Sequence, residues 1–132
     1  MKPSLTVGVI LLSVAGSEAK LVTRPVEYEA GDAKLVGYLA YDDAVEGKRP
    51  GVLVVHEWWG LDDYAKRRAE QVAKLGYVAL AVDMYGEGRT TRDPKQAAEW
   101  AGQVRRGSAW RERIRAAFNL LAGNERVDPE RI

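Results

Sequence analysis

VLVVHEWWGLDD, Val52–Asp63, decides how this chain is read. An apolar run stops at a histidine and a glutamate, and two tryptophans and a glycine follow. Gly51–Val55 shows no polar alternation, which is the pattern of a strand buried on both faces. Tyr77–Val82 (YVALAV) repeats that pattern. A helix is expected between them. Asp62 or Asp63 can cap its start, and Gly76 sits where a helix stops. Ala65, Ala69, Val72 and Ala73 fall on one face. Asp62–Lys66, Asp63–Arg67 and Glu70–Lys74 form acid-to-base pairs at i, i+4 on the others. Strand, capped helix, strand is a βαβ unit, so the two strands should be parallel with a right-handed crossover.

The elements further out fit an α/β fold. Val26–Glu29 and Leu35–Tyr41, separated by Gly31-Asp32, read as an antiparallel hairpin. Asp42–Pro50 is a polar connection and Asp83–Arg92 a glycine-containing loop. Asp93 caps a second helix, with Pro94 at its first position and Gln96 completing a capping-box pattern. The apolar face of that helix is Ala97, Trp100, Ala101 and Val104. Ser108 opens a third helix with Trp110, Ile114, Ala117, Phe118 and Leu121 on one face, closed by Gly123. After the turn Asn124–Arg131 the alternation calls for a third parallel strand, and the chain is at Ile132. The sheet is therefore expected to be incomplete at the C-terminus.

The totals bound the function. A length of 132 residues suits one small domain, and a net charge of +1 with both signs interspersed gives no basis for nucleic-acid or anionic-membrane binding. With no cysteine in these residues, disulfides, thiolate metal sites and a cysteine nucleophile are excluded within them. The N-terminus is distinct. Lys2, the apolar core Leu5–Gly16 and the small residues of Ser17-Glu18-Ala19 read as a secretory signal peptide cleaved after Ala19. This makes residues 1–19 a signal peptide and 20–132 the domain, and the expected destination is the periplasm or the medium. The apolar run is too short for an ordinary membrane span, and no cysteine follows it to carry a lipid anchor.

In open α/β sheets ligands bind beyond the carboxyl ends of the parallel strands. His56-Glu57 ends the first such strand and Asp83-Met84-Tyr85 the second, so both clusters face one rim. For His56, the only histidine in the chain, the plainer reading is a structural residue bonding a nearby loop. A carboxylate at Glu57, beside a buried strand and two indoles, should resist ionisation unless paired or solvated, so it is either a perturbed functional group or half of a structural ion pair. Rival chemistries find little support. Gly86-Glu87-Gly88 lacks the third glycine of a dinucleotide fingerprint, no Walker lysine motif exists, and one histidine with scattered carboxylates has no metal-ligand spacing. No G-x-S-x-G is present; Ser108, in RGSAW, reads as a helix cap.

Pro50–Arg89, PGVLVVHEWWGLDDYAKRRAEQVAKLGYVALAVDMYGEGR, resembles the N-terminal half of the dienelactone hydrolase family, within the α/β-hydrolase superfamily. Val127–Ile132, VDPERI, resembles the turn that in this family leads into the nucleophile strand. The resemblance implies a three-layer α/β-hydrolase sheet, mostly parallel after an N-terminal antiparallel hairpin. The nucleophile strand would lie beside Val52–Val55, with Tyr77–Val82 on the other side. It also implies roles. Glu57 would contact and activate a cysteine thiol, and the Trp58 N–H would form part of the oxyanion hole. The indoles would wall a slot for a small ester or lactone, which His56, Trp59, Tyr85 and Arg89 would contact. No cofactor is implied. The family's cysteine, aspartate and histidine would all fall beyond Ile132, so the chain alone should be inactive. Where the family carries an arginine two residues after the tyrosine of D-x-Y, this sequence has Glu87, with Arg89 two further on. The rival functions are a non-catalytic binding module on the same fold and a serine esterase of the same superfamily.

Overall fold

The computed structural model describes residues 20–132, so the segment read as a signal peptide lies outside the described residues. The elements run β1 (Leu21–Ala30), β2 (Ala33–Asp42), β3 (Gly51–Val55), α1 (Asp63–Lys74), β4 (Val78–Val82), α2 (Pro94–Arg105) and α3 (Ala109–Ala122). One four-stranded sheet has the order β1-β2-β4-β3. The pairs β1/β2 and β2/β4 are antiparallel, and β3/β4 is parallel, with Leu53 opposite Leu80. The sheet is thus mixed: antiparallel within the expected hairpin and where its second strand meets β4, and parallel between β3 and β4.

β4 explains the three layers. All five of its residues are buried. Val78, Leu80 and Val82 pack with Ala117 and Leu121 of α3, while Ala79 and Ala81 pack with Ala65, Ala69 and Ala73 of α1. A continuous apolar run is what a strand covered on both faces requires. The small alanines let α1 sit close to the sheet. On the other face Gly51 of β3 gives α3 the same close approach, for a Cβ there would lie 2.8 Å from Leu121 Cδ2.

β3 departs from the expectation. Its middle residues are only half-buried, and Val55 is 53% exposed. The reason is position, for β3 is an edge strand among the described residues. Its start already has company: the Gly51 N–H donates to the Arg131 carbonyl at 2.9 Å, and Arg49 bridges Val127 in parallel. Ile132 itself is in no strand. The outer face of α3 is also more open than its apolar stripe predicts, with Trp110 and Phe118 exposed. Ala117 and Leu121 are buried in the core and Ile114 packs against it, which leaves Trp110 and Phe118 as the open part of the stripe.

The helix ends show which local signals hold. The Asp62 carboxylate caps α1 by accepting from the Ala65 N–H at 3.2 Å, and Gly76, at φ +99°, follows its end. None of the three i, i+4 pairs forms as an ion pair among the described residues. Asp62 instead pairs with Arg92, and Glu70 accepts from the Tyr38 hydroxyl. Asp93 caps α2 through the Lys95 N–H, but Gln96 donates to Glu99, leaving the capping box unmade. Ser108 makes no cap bond because its backbone is already helical; its hydroxyl bonds Glu112.

Candidate active site

The carboxyl ends of β3 and β4 meet as the topology requires. The first link is His56. The Met84 N–H donates to its Nε2 at 3.0 Å, so Nε2 is the acceptor and Nδ1 carries the proton. Nδ1 in turn donates to the Glu57 carbonyl at 2.6 Å. Both ring nitrogens are therefore spent on backbone groups, and the histidine ties the two strand ends together. It lines the cleft but has no nitrogen left for a substrate. Burial holds its pKa below the usual histidine range. The consequence for pH is directional. Above about 6.5, the unfolded value, both states are neutral. Below it the unfolded chain takes a proton that the folded one resists, so stability falls with pH. Urea midpoints followed between pH 7 and 5 should drop more steeply for the native sequence than for His56→Gln.

The second link is Tyr85. It is buried, its hydroxyl donates to the Trp58 carbonyl at 2.7 Å, and its ring meets His56 edge-on at 4.9 Å and Trp100 at 5.5 Å. The loop carrying it is organised by Asp83, fully buried, whose carboxylate accepts the N–H groups of Val36, Tyr85, Gly86 and Gly88 at 2.8–3.0 Å. Three consecutive residues there, Gly86, Glu87 and Gly88, have φ of +93°, +55° and +66°. A non-glycine in that region is uncommon, and the four bonds to Asp83 hold it there. Above Asp83, burial pushes the Tyr28 phenol up to about 12.

The third link is Gly60, which bridges Thr90. The Trp59 carbonyl accepts the Thr91 N–H at 3.0 Å. Gly60 has φ +95°, and a Cβ there would stand 2.3 Å from the Arg89 carbonyl oxygen. Only glycine lets the two loops approach so closely.

These links shape a cleft of about 420 Å³ lined by Val55, His56, Glu57, Trp58, Met84, Tyr85, Ala101, Val104, Arg105 and Trp110. Glu57 and Trp58 are both exposed at its edge, so the Glu57 carboxylate is solvated rather than buried, and it forms no ion pair among the described residues. Of the two readings of Glu57, half of a structural ion pair finds no partner among the described residues, and its carboxylate is the solvated case. The Trp58 N–H finds no backbone acceptor among the described residues.

Two expected substrate contacts lie elsewhere. Trp59 stands outside the cleft, 5.0 Å from Trp58, with Arg92 over its ring at 5.9 Å. Arg89 stacks over Trp100 at 4.8 Å and donates to the Tyr85 and Gly86 carbonyls, so its guanidinium braces the loop instead of facing Glu57. Glu87 lines a separate groove of about 600 Å³ with Glu27, Glu29 and Lys34, on the hairpin side of the loop. The cation that lines the cleft is Arg105, which the sequence reading missed. Its signal was available, since Arg105 follows Ala101 by one helical turn on the face read as wholly apolar. Among the described residues no group of acidic residues and histidine is placed to hold a metal ion, and no helix is long and apolar enough to cross a membrane.

A mixed sheet covered by α1 on one face and α3 on the other, with an apolar cleft at the carboxyl ends of its parallel pair, is the architecture of an α/β-hydrolase. The chain belongs to the dienelactone hydrolase family, whose model matches residues 35–132. Among solved structures it is similar to m3DLH, at 39% identity and a TM-score of 0.79 over 84% of this chain and 47% of that one. A dienelactone hydrolase-like promiscuous phosphotriesterase from metagenomic libraries matches at 34% identity and a TM-score of 0.77, over 84% of this chain and 46% of the other. Protein usf of Aquifex pyrophilus is 38% identical over 77 residues, which is 56% of this chain and 32% of that protein. The chain thus spans less than half the length of each of these three relatives.

Proposed function

We propose that residues 20–132 form the oxyanion side of a carboxylic ester or lactone hydrolase whose cysteine nucleophile comes from residues beyond Ile132. The observation that supports this most is the Trp58 N–H, just past the end of β3, which has no backbone acceptor among the described residues and stands next to Glu57 on an apolar cleft. An N–H fixed at a strand end can meet developing negative charge without reorganising. In the assembled site Glu57 takes the thiol proton, and the thiolate attacks the ester carbonyl carbon. The carbonyl oxygen becomes an oxyanion held in part by the Trp58 N–H. The alcohol leaves with a proton, and water then hydrolyses the thioester to the acid and the free thiol. Trp58 and Trp110 wall the acyl group from water.

The test has two arms. The chain alone should show no turnover of a chromogenic short-chain aryl ester above background. A chimera joining residues 20–132 to the C-terminal remainder of m3DLH should hydrolyse it. Activity in the repurified chain, or a folded chimera with none, overturns the reading. Export is part of the same proposal, and protein recovered from a periplasm should have the intact mass of residues 20–132. A full-length mass in the soluble fraction contradicts it.

A further inference from the structure

The peptide unit between Glu57 and Trp58 has two ends. Its N–H is the proposed oxyanion donor, and its C=O is the acceptor of the His56 Nδ1–H at 2.6 Å, with the Gly60 N–H also reaching it at 3.3 Å. In a trans peptide the C=O and N–H point in opposite directions, so whatever fixes the carbonyl aims the N–H. The next carbonyl, that of Trp58, is fixed by the Tyr85 hydroxyl at 2.7 Å. The residue bearing the donor is therefore held from both sides by two side chains, and their rings pack edge-on at 4.9 Å. The clamp is anchored in turn on the β4 loop through Met84 N–H to His56 Nε2, and that loop is held by the buried Asp83.

We propose that His56 and Tyr85 are positioning residues for the oxyanion hole: His56 Nδ1–H on the Glu57 carbonyl and Tyr85 Oη–H on the Trp58 carbonyl together aim the Trp58 N–H. This rests on the reading of Trp58 as the oxyanion donor. The family resemblance implies substrate contact for both side chains, but their polar atoms are consumed by backbone, as the plainer reading of His56 expected, which leaves positioning as their chemistry. The arrangement also polarises the donor. A peptide whose carbonyl accepts a hydrogen bond becomes a stronger N–H donor, because such bonds reinforce one another along a chain. The neutral ring is essential. Protonating Nε2 would remove the acceptor of the Met84 N–H and release the anchor, and burial disfavours that protonation. The Asp83 and Asp62 carboxylates act on the ring in the opposite sense, raising its pKa.

The experiment uses the full chain labelled with ¹⁵N, and no turnover is needed. The ring spectrum should show a protonated Nδ1 and a bare Nε2 at His56. The Trp58 N–H should have a rigid-backbone order parameter near 0.85 and fall below about 0.6 in His56→Ala. In His56→Gln, whose amide can donate to Glu57 and accept from Met84, rigidity should return. Tyr85→Phe should loosen the Trp58 amide with the His56 ring signals retained. The opposite tautomer, a rigid Trp58 amide in His56→Ala, or failure of His56→Gln to restore rigidity would overturn the proposal. If His56→Ala does not fold, the tautomer and the Tyr85→Phe comparison decide. An inactive chimera would refute the hydrolase reading alone, since these readouts do not depend on it.

Discussion

Asp83→Ala is expected to remove a large part of the stability of the domain, about 4 kcal/mol or more. Its carboxylate is fully buried at the end of β4, and both oxygens are occupied. Oδ1 accepts the Tyr85 and Gly86 N–H groups, and Oδ2 accepts those of Val36 and Gly88. Truncation leaves four backbone donors without an acceptor, each costing about 1–3 kcal/mol where water cannot reach it. Small domains are stable by only about 5–15 kcal/mol, so a loss of this size leaves a substantial unfolded population. The loop also carries Glu87 at φ +55°, which relaxes once its neighbours are released. Asp83→Asn should be nearly as damaging, since its amide nitrogen would face two N–H groups where an oxygen stood. Urea unfolding followed by tryptophan fluorescence measures both. A loss under about 1 kcal/mol for Asp83→Ala would mean that water replaces the carboxylate.

Much of the fold was legible because it rests on patterns local to each element. The run in β4 gives a strand covered twice, and the alanine stripe of α1 gives the helix that covers it. The acid-to-base pairs of α1 were as visible but did not form, because exposed side chains follow the best nearby partner and gain little from any of them. β3 looked like β4 in sequence, yet among the described residues it sits at an edge, and no composition within five residues distinguishes the two cases. The site was legible to the same depth. The strand-end rule brought His56, Glu57, Trp58 and Tyr85 together correctly. It left polar atoms less certain: the plainer reading of His56, a structural residue bonding a nearby loop, is what its bonds to the Met84 N–H and the Glu57 carbonyl show, whereas the Tyr85 hydroxyl, expected at the substrate, is spent on the Trp58 carbonyl. Arg89 and Arg105 show the remaining limit. Both lie near Tyr85: Arg89 follows the left-handed turn at Gly86–Gly88 and braces that loop, while Arg105 reaches the cleft from the last turn of α2.

In the chimera with the m3DLH remainder, Glu57→Gln is expected to lower the acylation rate by about 10²–10⁴ while changing stability by less than about 0.5 kcal/mol. The two halves of this expectation come from different observations. Glu57 is exposed and takes no ion pair among the described residues, so the folded chain loses no packing or pairing when the charge goes. Its position is nonetheless fixed: the carbonyl of the same residue is gripped by His56, and the adjacent N–H is the proposed oxyanion donor. A carboxylate so placed can take a thiol proton, whereas a glutamine of the same shape can only donate or accept a hydrogen bond. The rate loss corresponds to about 2.7–5.4 kcal/mol of transition-state stabilisation, several times the expected change in folding free energy. Single-turnover acylation with a chromogenic ester, set beside urea unfolding of the same two proteins, separates the cases. Equal losses in activation and unfolding would make Glu57 a structural residue of the strand end and would remove the reason for a glutamate to stand between His56 and the indoles.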